Sequence, residues 1–266
     1  MNFVCPICKG PLSEGGGAAK CPKGHSYDRA KAGYYNLLLS SDGKNHGDNR
    51  EMVDARRNFL DTGSYKPLAD KVSEILLKYM TGKTLLDVGC GEGYYTDIIE
   101  RALGADVSVS GFDISRDAVK YAAKRNKNIE FAVASAYRMP TLDESFDGAV
   151  NMFSPLAREE IYRTLKPGGI FVMAIPGEEH LFGLKKATYK TPYKNQVDDP
   201  ELQGFELVES ANIKYTITLD EKEKIHSLFM MTPYAYRTGA EERERFFSLK
   251  TLTTDADFVI FVYKKV

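Results

Sequence analysis

The sequence predicts an α/β chain: a mostly parallel, seven-stranded sheet wrapped on both faces by helices, with a small metal-binding module at its N-terminal end. Three observations carry this. From residue 83, short apolar runs alternate with segments whose apolar residues recur at helical spacing, the pattern of strands joined by right-handed crossovers. Residues 84–93, Thr-Leu-Leu-Asp-Val-Gly-Cys-Gly-Glu-Gly, set a glycine-rich turn between one such strand and the next helix. Near the start, Cys5-Pro-Ile-Cys8 and Cys21-Pro-Lys-Gly-His25 are joined through a loop containing Gly15, Gly16 and Gly17.

The N-terminal pattern is C-x2-C-x12-C-x3-H. Two ligands separated by two residues can grip one ion through a tight turn, and Pro6 and Pro22 help preset those turns. Zinc favours a tetrahedral set of thiolate sulfur and imidazole nitrogen, and four protein ligands close its shell. Cys5, Cys8, Cys21 and His25 therefore read as a structural zinc ribbon, because Val4, Ile7 and Leu12 alone are too little core for the segment. Residues 27–38 follow, mixing aromatic and basic side chains. Tyr34, Leu37 and Leu38 read as strand residues packed on the module, leaving Arg29 and Lys31 as exposed cations suited to phosphate.

Residues 40–50 are polar and read as a linker, 51–60 as a short arginine-bearing helix. From Pro67, Leu68, Val72, Ile75, Leu76 and Tyr79 share one helical face. The strands are expected at 84–89, 107–113, 129–133, 146–152 and 169–175, and the helices at 94–103, 116–125, 157–165 and 178–186. Lys166-Pro167-Gly168-Gly169 breaks the chain before the fifth strand. Residues 205–219 and 256–264 alternate as a closing pair, with a helix from Asp220 between them. The expected division is 1–40 for the zinc module, 41–82 for linker and helices, and 83–266 for the sheet domain.

Composition bounds the function. The chain has 266 residues, a formal net charge of −1 and four cysteines, three of them in the N-terminal cluster. A disulfide framework is not expected, and a reducing cytoplasm is. No apolar run approaches the length of a membrane span. With net charge near zero, any affinity for nucleic acid must reside in local patches. Lys185-Lys186-Ala-Thr-Tyr-Lys190-Thr-Pro-Tyr-Lys194 is one such patch, placed after the fifth strand at the end where open α/β sheets bind ligands. A solvated surface explains the same lysines equally well.

The glycine turn defines a site for a nucleoside cofactor. Without a Cβ the backbone can approach a ligand closely, and the next strand ends at Asp113, whose carboxylate can accept hydrogen bonds from ribose hydroxyls. The spacing is G-x-G-x-G after Asp87, not the dinucleotide G-x-G-x-x-G. In this it resembles the class I S-adenosylmethionine-dependent methyltransferases, which have a Rossmann-like fold. The whole chain resembles, more narrowly, the large-subunit ribosomal RNA guanine-N1 methyltransferases, which modify a guanine in a hairpin loop of 23S rRNA. The matching stretches are the Cys3His set, Lys31-Ala-Gly-Tyr-Tyr-Asn-Leu-Leu38, Ala55-Arg-Arg-x-Phe-Leu60 with Gly63 and Tyr65-x-Pro67, Leu86 to Gly93, Pro176-x3-His180-Leu181, and Met231-Thr-Pro233.

That resemblance implies S-adenosylmethionine and zinc as cofactors, a zinc module that recognises RNA, and a homodimer. It implies cofactor contacts from Gly89, Gly91, Glu92, Gly93, Asp113, Tyr65 and His180, with Ser135 where many methyltransferases place an acid near the adenine amine. Tyr65 and His180 also fit plain packing roles. The fourth strand ends in Asn151-Met-Phe153-Ser-Pro, so Asn151 could bond a guanine edge and Phe153 stack on it. No residue declares itself a general base. Two other readings remain: a small-molecule methyltransferase with a zinc lid, and a non-catalytic zinc RNA-binding protein. The intact glycine turn and Asp113 disfavour the latter.

Overall fold

The computed structural model describes residues 1–40, 47–197 and 201–266; most of the linker expected at 40–50 lies outside them. Strands β1 (Ser13–Gly15), β2 (Ala18–Lys20) and β3 (Ser26–Asp28) form a small antiparallel sheet carrying the cysteine cluster at its end. Strand β4 (Tyr35–Asn36) follows, then helices α1 (Arg50–Leu60) and α2 (Lys66–Tyr79). The alternating region gives β5 (Thr84–Val88), α3 (Tyr94–Leu103), β6 (Ser108–Asp113), α4 (Arg116–Arg125), β7 (Glu130–Val133), β8 (Phe146–Met152), α5 (Arg158–Thr164), β9 (Leu165–Pro176) and α6 (Phe182–Thr188). The chain closes with β10 (Phe205–Leu219), α7 (Lys222–Met230), α8 (Tyr234–Arg237), α9 (Ala240–Phe247) and β11 (Leu252–Lys265).

The large sheet has the order β10-β11-β9-β8-β5-β6-β7-β4. Every pair from β9 to β4 is parallel, while β11 runs antiparallel between β9 and β10. The chain starts in the middle at β5, adds β6 and β7 on one side, then returns to add β8 and β9 on the other. The crevice beyond β5 and β8 is thus the topological switch point where such sheets bind ligands. One apolar cluster covers each face: Leu85, Val109, Phe131 and Val150 lie on one, and Leu86, Phe112, Ala149 and Phe171 on the other. Helix α2 buries Leu68, Val72, Ile75 and Leu76, the stripe its sequence periodicity predicts.

Three features depart from expectation. The sheet has eight strands instead of seven, because β4 pairs in parallel with β7 and the Leu37 amide donates to the Val133 carbonyl. Tyr35 and Leu37 are consequently buried in the same cluster as Ala132 and Met139. The fifth parallel strand does not stop at Lys166-Pro167-Gly168-Gly169 but runs through it from Leu165. A register shift opposite Phe146 and Gly148 absorbs the left-handed Gly168. The single helix expected after Asp220 is three helices, of which α7 packs on α1 and α9 on α6.

Candidate functional site

The four predicted metal ligands come together. Sγ of Cys21 and Cys5 lie 3.2 and 3.4 Å from Nδ1 of His25, Sγ of Cys8 lies 3.6 Å from that of Cys21, and all four ligand atoms fall within 4.8 Å of one another. Tetrahedral Zn–S bonds of about 2.3 Å require sulfur atoms about 3.8 Å apart, so this donor set fits zinc. Burial pushes the Cys5 thiol up, but the Tyr27 hydroxyl and the amides of Cys8 and Ile7 outweigh it and bring the pKa to about 6. The thiolate form a metal needs is thereby favoured.

At the glycine turn each glycine has its own reason. Gly89 (φ +80°) packs on the Ser154 side chain, which a Cβ would meet at 2.4 Å, and Gly93 (φ +82°) makes room for α4, since a Cβ there would meet Ala122 at 2.9 Å. Gly91 (φ +55°) faces open space, so its backbone is the stretch a ligand can touch. Asp113 organises the turn: Oδ2 accepts the Gly91 amide at 3.0 Å and Oδ1 the Ser115 amide at 2.7 Å. Burial raises its pKa, and those two amides oppose the rise. The Asp87 carboxyl is buried, takes one bond from Thr96 at 2.6 Å, and keeps Oδ1 unpartnered. An orphaned carboxylate oxygen beside an open glycine backbone and a ribose-height acid suits a cationic nucleoside such as S-adenosylmethionine.

Two expected contacts look different in three dimensions. The Glu92 carboxylate does not face the turn; it is buried in an ion pair with Arg125 (2.6 Å), which also bridges to Asp61 (2.8 Å). Ser135 accepts the Tyr137 amide at 3.3 Å and so caps a 3-10 turn over Ala136–Arg138, keeping a second lone pair for an amine.

Beyond the turn lies a basin of aromatic rings. Phe258 contacts Tyr65 (4.9 Å between centroids), His180 (4.7 Å) and Phe153 (5.6 Å), and Phe153 faces Tyr95 at 6.0 Å. Phe153 is partly exposed and sits at φ +61°, a left-handed conformation that a bulky side chain rarely adopts. The end of β8 holds it there. Asn151 donates to Ser154 Oγ (2.8 Å) and to the Pro155 carbonyl (3.3 Å), and Ser154 in turn donates to the Val88 carbonyl (2.7 Å). Asn151 is buried with its amide hydrogens spent on this turn, so only Oδ1 is left to meet a guanine edge.

The Tyr65–His180 pair has a defined proton order. The Asp257 amide donates to His180 Nδ1 (3.3 Å), so Nε2 carries the hydrogen and points at the Tyr65 oxygen 3.3 Å away. The Tyr65 hydroxyl accepts that bond and has no acceptor for its own proton among the described residues. It can donate to a bound carboxylate.

Over residues 80–230 the chain matches the family described as "Methyltransferase domain", more than half its length. The chain belongs to the methyltransferase family. Residues 3–41 of the methyltransferase match the zinc ribbon described as "RlmA, N-terminal". Similar curated proteins include Bacillus subtilis (strain 168) YxjB, provisionally named a 23S rRNA (guanine-N(1)-)-methyltransferase, 28% identical with 97% of this chain and 96% of that one covered. The 23S rRNA (guanine(748)-N(1))-methyltransferase of Streptomyces fradiae is also 28% identical, over 91% of this chain and 88% of its own.

The lysine segment of the methyltransferase divides. Lys185 is fully buried, donating to the Tyr193 carbonyl (3.0 Å) and Asn195 Oδ1 (2.7 Å) beneath the Tyr193 ring (4.4 Å). Its expected role as a phosphate contact is corrected: it pins residues 193–195 to α6. Lys194 is exposed but paired with Glu178 and Glu179, Lys186 lies over the Phe182 ring, and Lys190 is exposed. Arg29 bonds Glu14 at 2.7 Å, and Lys31 is exposed. Phe258 and Arg125 carry no functional signal in the sequence, since each reaches the site from an element distant from its motifs, and Tyr95 reads there only as part of a helix stripe. Its adjacency to the glycine turn is the signal that could have singled it out.

Two buried groups of the methyltransferase give opposed pH dependences. Burial brings His180 down to about 3, so between pH 6.5 and 3 the unfolded chain binds a proton the folded one refuses, and stability falls as pH drops. Burial lifts Asp87 to about 7, so the folded chain binds the extra proton between its ordinary 3.8 and 7, and stability rises as pH drops. Asp87→Asn should therefore expose the His180 effect: melting temperature should fall more steeply from pH 7 to pH 4 than in the wild type. Parallel melting curves would refute that assignment.

Proposed function

We propose that this methyltransferase moves the methyl group of S-adenosylmethionine to N1 of a guanine in a hairpin loop of 23S ribosomal RNA. The observation that carries the reading is similarity over nearly the full length, zinc ribbon included, to proteins named for that reaction. The site supports it. When bound, S-adenosylmethionine supplies an electrophilic methyl group on its sulfonium. Asp113 and the Gly91 backbone would hold the nucleoside end, with the buried Asp87 carboxyl supplying negative charge behind the turn. Guanine N1 lies on the Watson–Crick edge, so the base must be unpaired and turned out. Phe153, held proud of the β8 end, offers it a stacking surface. The catalytic contributions are then alignment of N1 behind the methyl carbon and exclusion of water.

For the RNA strand, a cleft of about 380 Å³ between the zinc module and the 3-10 turn is lined by Lys9, Tyr137 and Arg138, with Tyr137 well exposed for stacking, while Arg163 on its wall is paired with Asp143 and Glu160. To the exposed cations expected from the sequence, Lys186, Lys190, Arg29 and Lys31, this cleft adds a further stretch of the hairpin's footprint. A homodimer with the RNA between subunits, working in the cytoplasm, completes the reading; no helix among the described residues is long and apolar enough to cross a membrane.

The test is mass spectrometry of a 23S rRNA hairpin fragment incubated with protein and S-adenosylmethionine across a salt series. N1-methylguanine should appear. A Lys9→Ala, Lys186→Ala, Lys190→Ala variant should bind more weakly, with a salt dependence flatter by about one unit for each phosphate left unpaired. If no RNA is methylated while a small phenol or amine is a good acceptor, the zinc module is only a lid and the small-molecule reading replaces this one.

A further inference from the structure

Tyr95 stands in the first turn of α3, directly behind the glycine turn, and its ring is nine-tenths buried between Tyr94 (5.2 Å) and Phe153 (6.0 Å). Unlike the hydroxyls of Tyr65, Tyr79, Tyr121 and Tyr215, which have bonds to His180, Glu209, Asp54 and the Ser64 carbonyl, its hydroxyl has no hydrogen-bond partner among the described residues. Its oxygen is not sealed from solvent, so a bond offered beside a strained, partly exposed aromatic ring is open to a ligand. Burial also holds the phenol far above its ordinary pKa, so it is a donor at every physiological pH.

We propose that the Tyr95 hydroxyl donates a hydrogen bond to O6 of the target guanine while the base is stacked on Phe153. This rests on the guanine-N1 reading above and assigns a catalytic residue within it. Guanine N1 becomes a nucleophile as its proton leaves to water. The electron pair released spreads over N1 and O6, the N1–methyl bond forms, and the sulfonium carbon–sulfur bond breaks to leave a neutral thioether. A donor aimed at O6 stabilises the charge that develops there, as an oxyanion-hole donor does at a carbonyl. It thereby makes N1 more acidic with no base on the protein, consistent with a basin whose described walls are aromatic rings and phenols rather than carboxylates. The same bond selects guanine over adenine, which carries an amino group at that position and would leave the phenol unsatisfied.

The experiment compares wild type and Tyr95→Phe on hairpins containing guanine or 6-thioguanine at the target, thiocarbonyl sulfur being the weaker acceptor. In the wild type the oxygen-to-sulfur change removes the bond; in the variant there is none to remove. The guanine-to-thioguanine rate ratio should therefore collapse in Tyr95→Phe, the intrinsic acidity of the two bases cancelling in the cycle. The variant's kcat on guanine should fall by about 10²-fold. The acid limb of its pH–rate profile should move to higher pH, since the bond favours the deprotonated base. Its ligand-free melting temperature should be nearly unchanged, because the hydroxyl makes no bond within the protein. An unchanged ratio, or a kcat lowered equally at all pH values, overturns the proposal. So does loss of S-adenosylmethionine affinity by calorimetry, which would give the phenol to the cofactor. If the wild type methylates guanine N1 and Tyr95→Phe does so equally well, only this inference fails; if the wild type methylates no RNA, the function proposed above fails first.

Discussion

Replacing Cys8 by Ser together with His25 by Ala is expected to abolish zinc binding, lower the melting temperature and cut RNA methylation at least about tenfold. Two of four ligands are then removed, and the three short strands of the module have little core of their own. The consequence reaches the large sheet because the module is not suspended from it by a tether. The Val4 amide donates to the Pro140 carbonyl, Lys9 Nζ to the Met139 carbonyl, and Asn2 to Glu130, Ser108 and Ser110. Phe3, Leu12, Tyr35 and Leu37 share one apolar cluster with Phe112, Ala132 and Met139. Unfolding the module therefore bares apolar surface on β7, whose C-terminal end leads to Ser135. Cofactor affinity should fall too, though by less than about tenfold, because the glycine turn and Asp113 lie on β5 and β6. Metal analysis, thermal melting and calorimetry on one preparation separate these effects. Zinc retained in the double variant would show that other residues hold it.

Asp113→Ala should be the most damaging single change at the cofactor site. It removes the acceptor for ribose hydroxyls and also strands the Gly91 and Ser115 amides, now inside a buried site. Each stranded amide costs about 1–3 kcal/mol, so the variant should melt several degrees lower even without ligand. The loss of ribose bonds should weaken S-adenosylmethionine binding by about 1.5–3 kcal/mol, roughly tenfold to a hundredfold. Asp113→Asn keeps one acceptor oxygen and should fall between. Unchanged affinity by calorimetry would mean the ribose lies elsewhere, and tight binding of NAD in place of S-adenosylmethionine would overturn the cofactor assignment.

Much of this was legible in the linear chain because it depends on short-range spacing. A C-x2-C pair can close on one ion only through its own turn, so four ligands could be named from sequence and are found within reach of one another. A glycine in a βα turn declares a backbone conformation, and Gly89, Gly91 and Gly93 all have positive φ. Helical and strand periodicity located α2, β5 and β6 to within a residue or two, since each buries one continuous stripe.

What tertiary structure alone decided is which polar groups are already spent. Lysines 185 and 190 are alike in sequence, yet one is sealed under Tyr193 and the other is exposed, because only the path of residues 193–195 over α6 separates them. Glu92 reads as a cofactor ligand until Arg125, brought in by α4, takes its carboxylate. Asn151 reads as a base contact with its whole amide until its NH2 group is found bracing the turn after β8, leaving Oδ1 alone. Tyr95 reads as one more apolar helix residue until its ring is found against Phe153 with a hydroxyl that no described residue bonds. Residue type and local spacing, carried by the sequence itself, determined the fold and the cofactor turn. Whether a charge or hydroxyl remains available to a ligand depends on partners distant in sequence, since a buried polar group bonds to whatever the fold brings within about 3 Å.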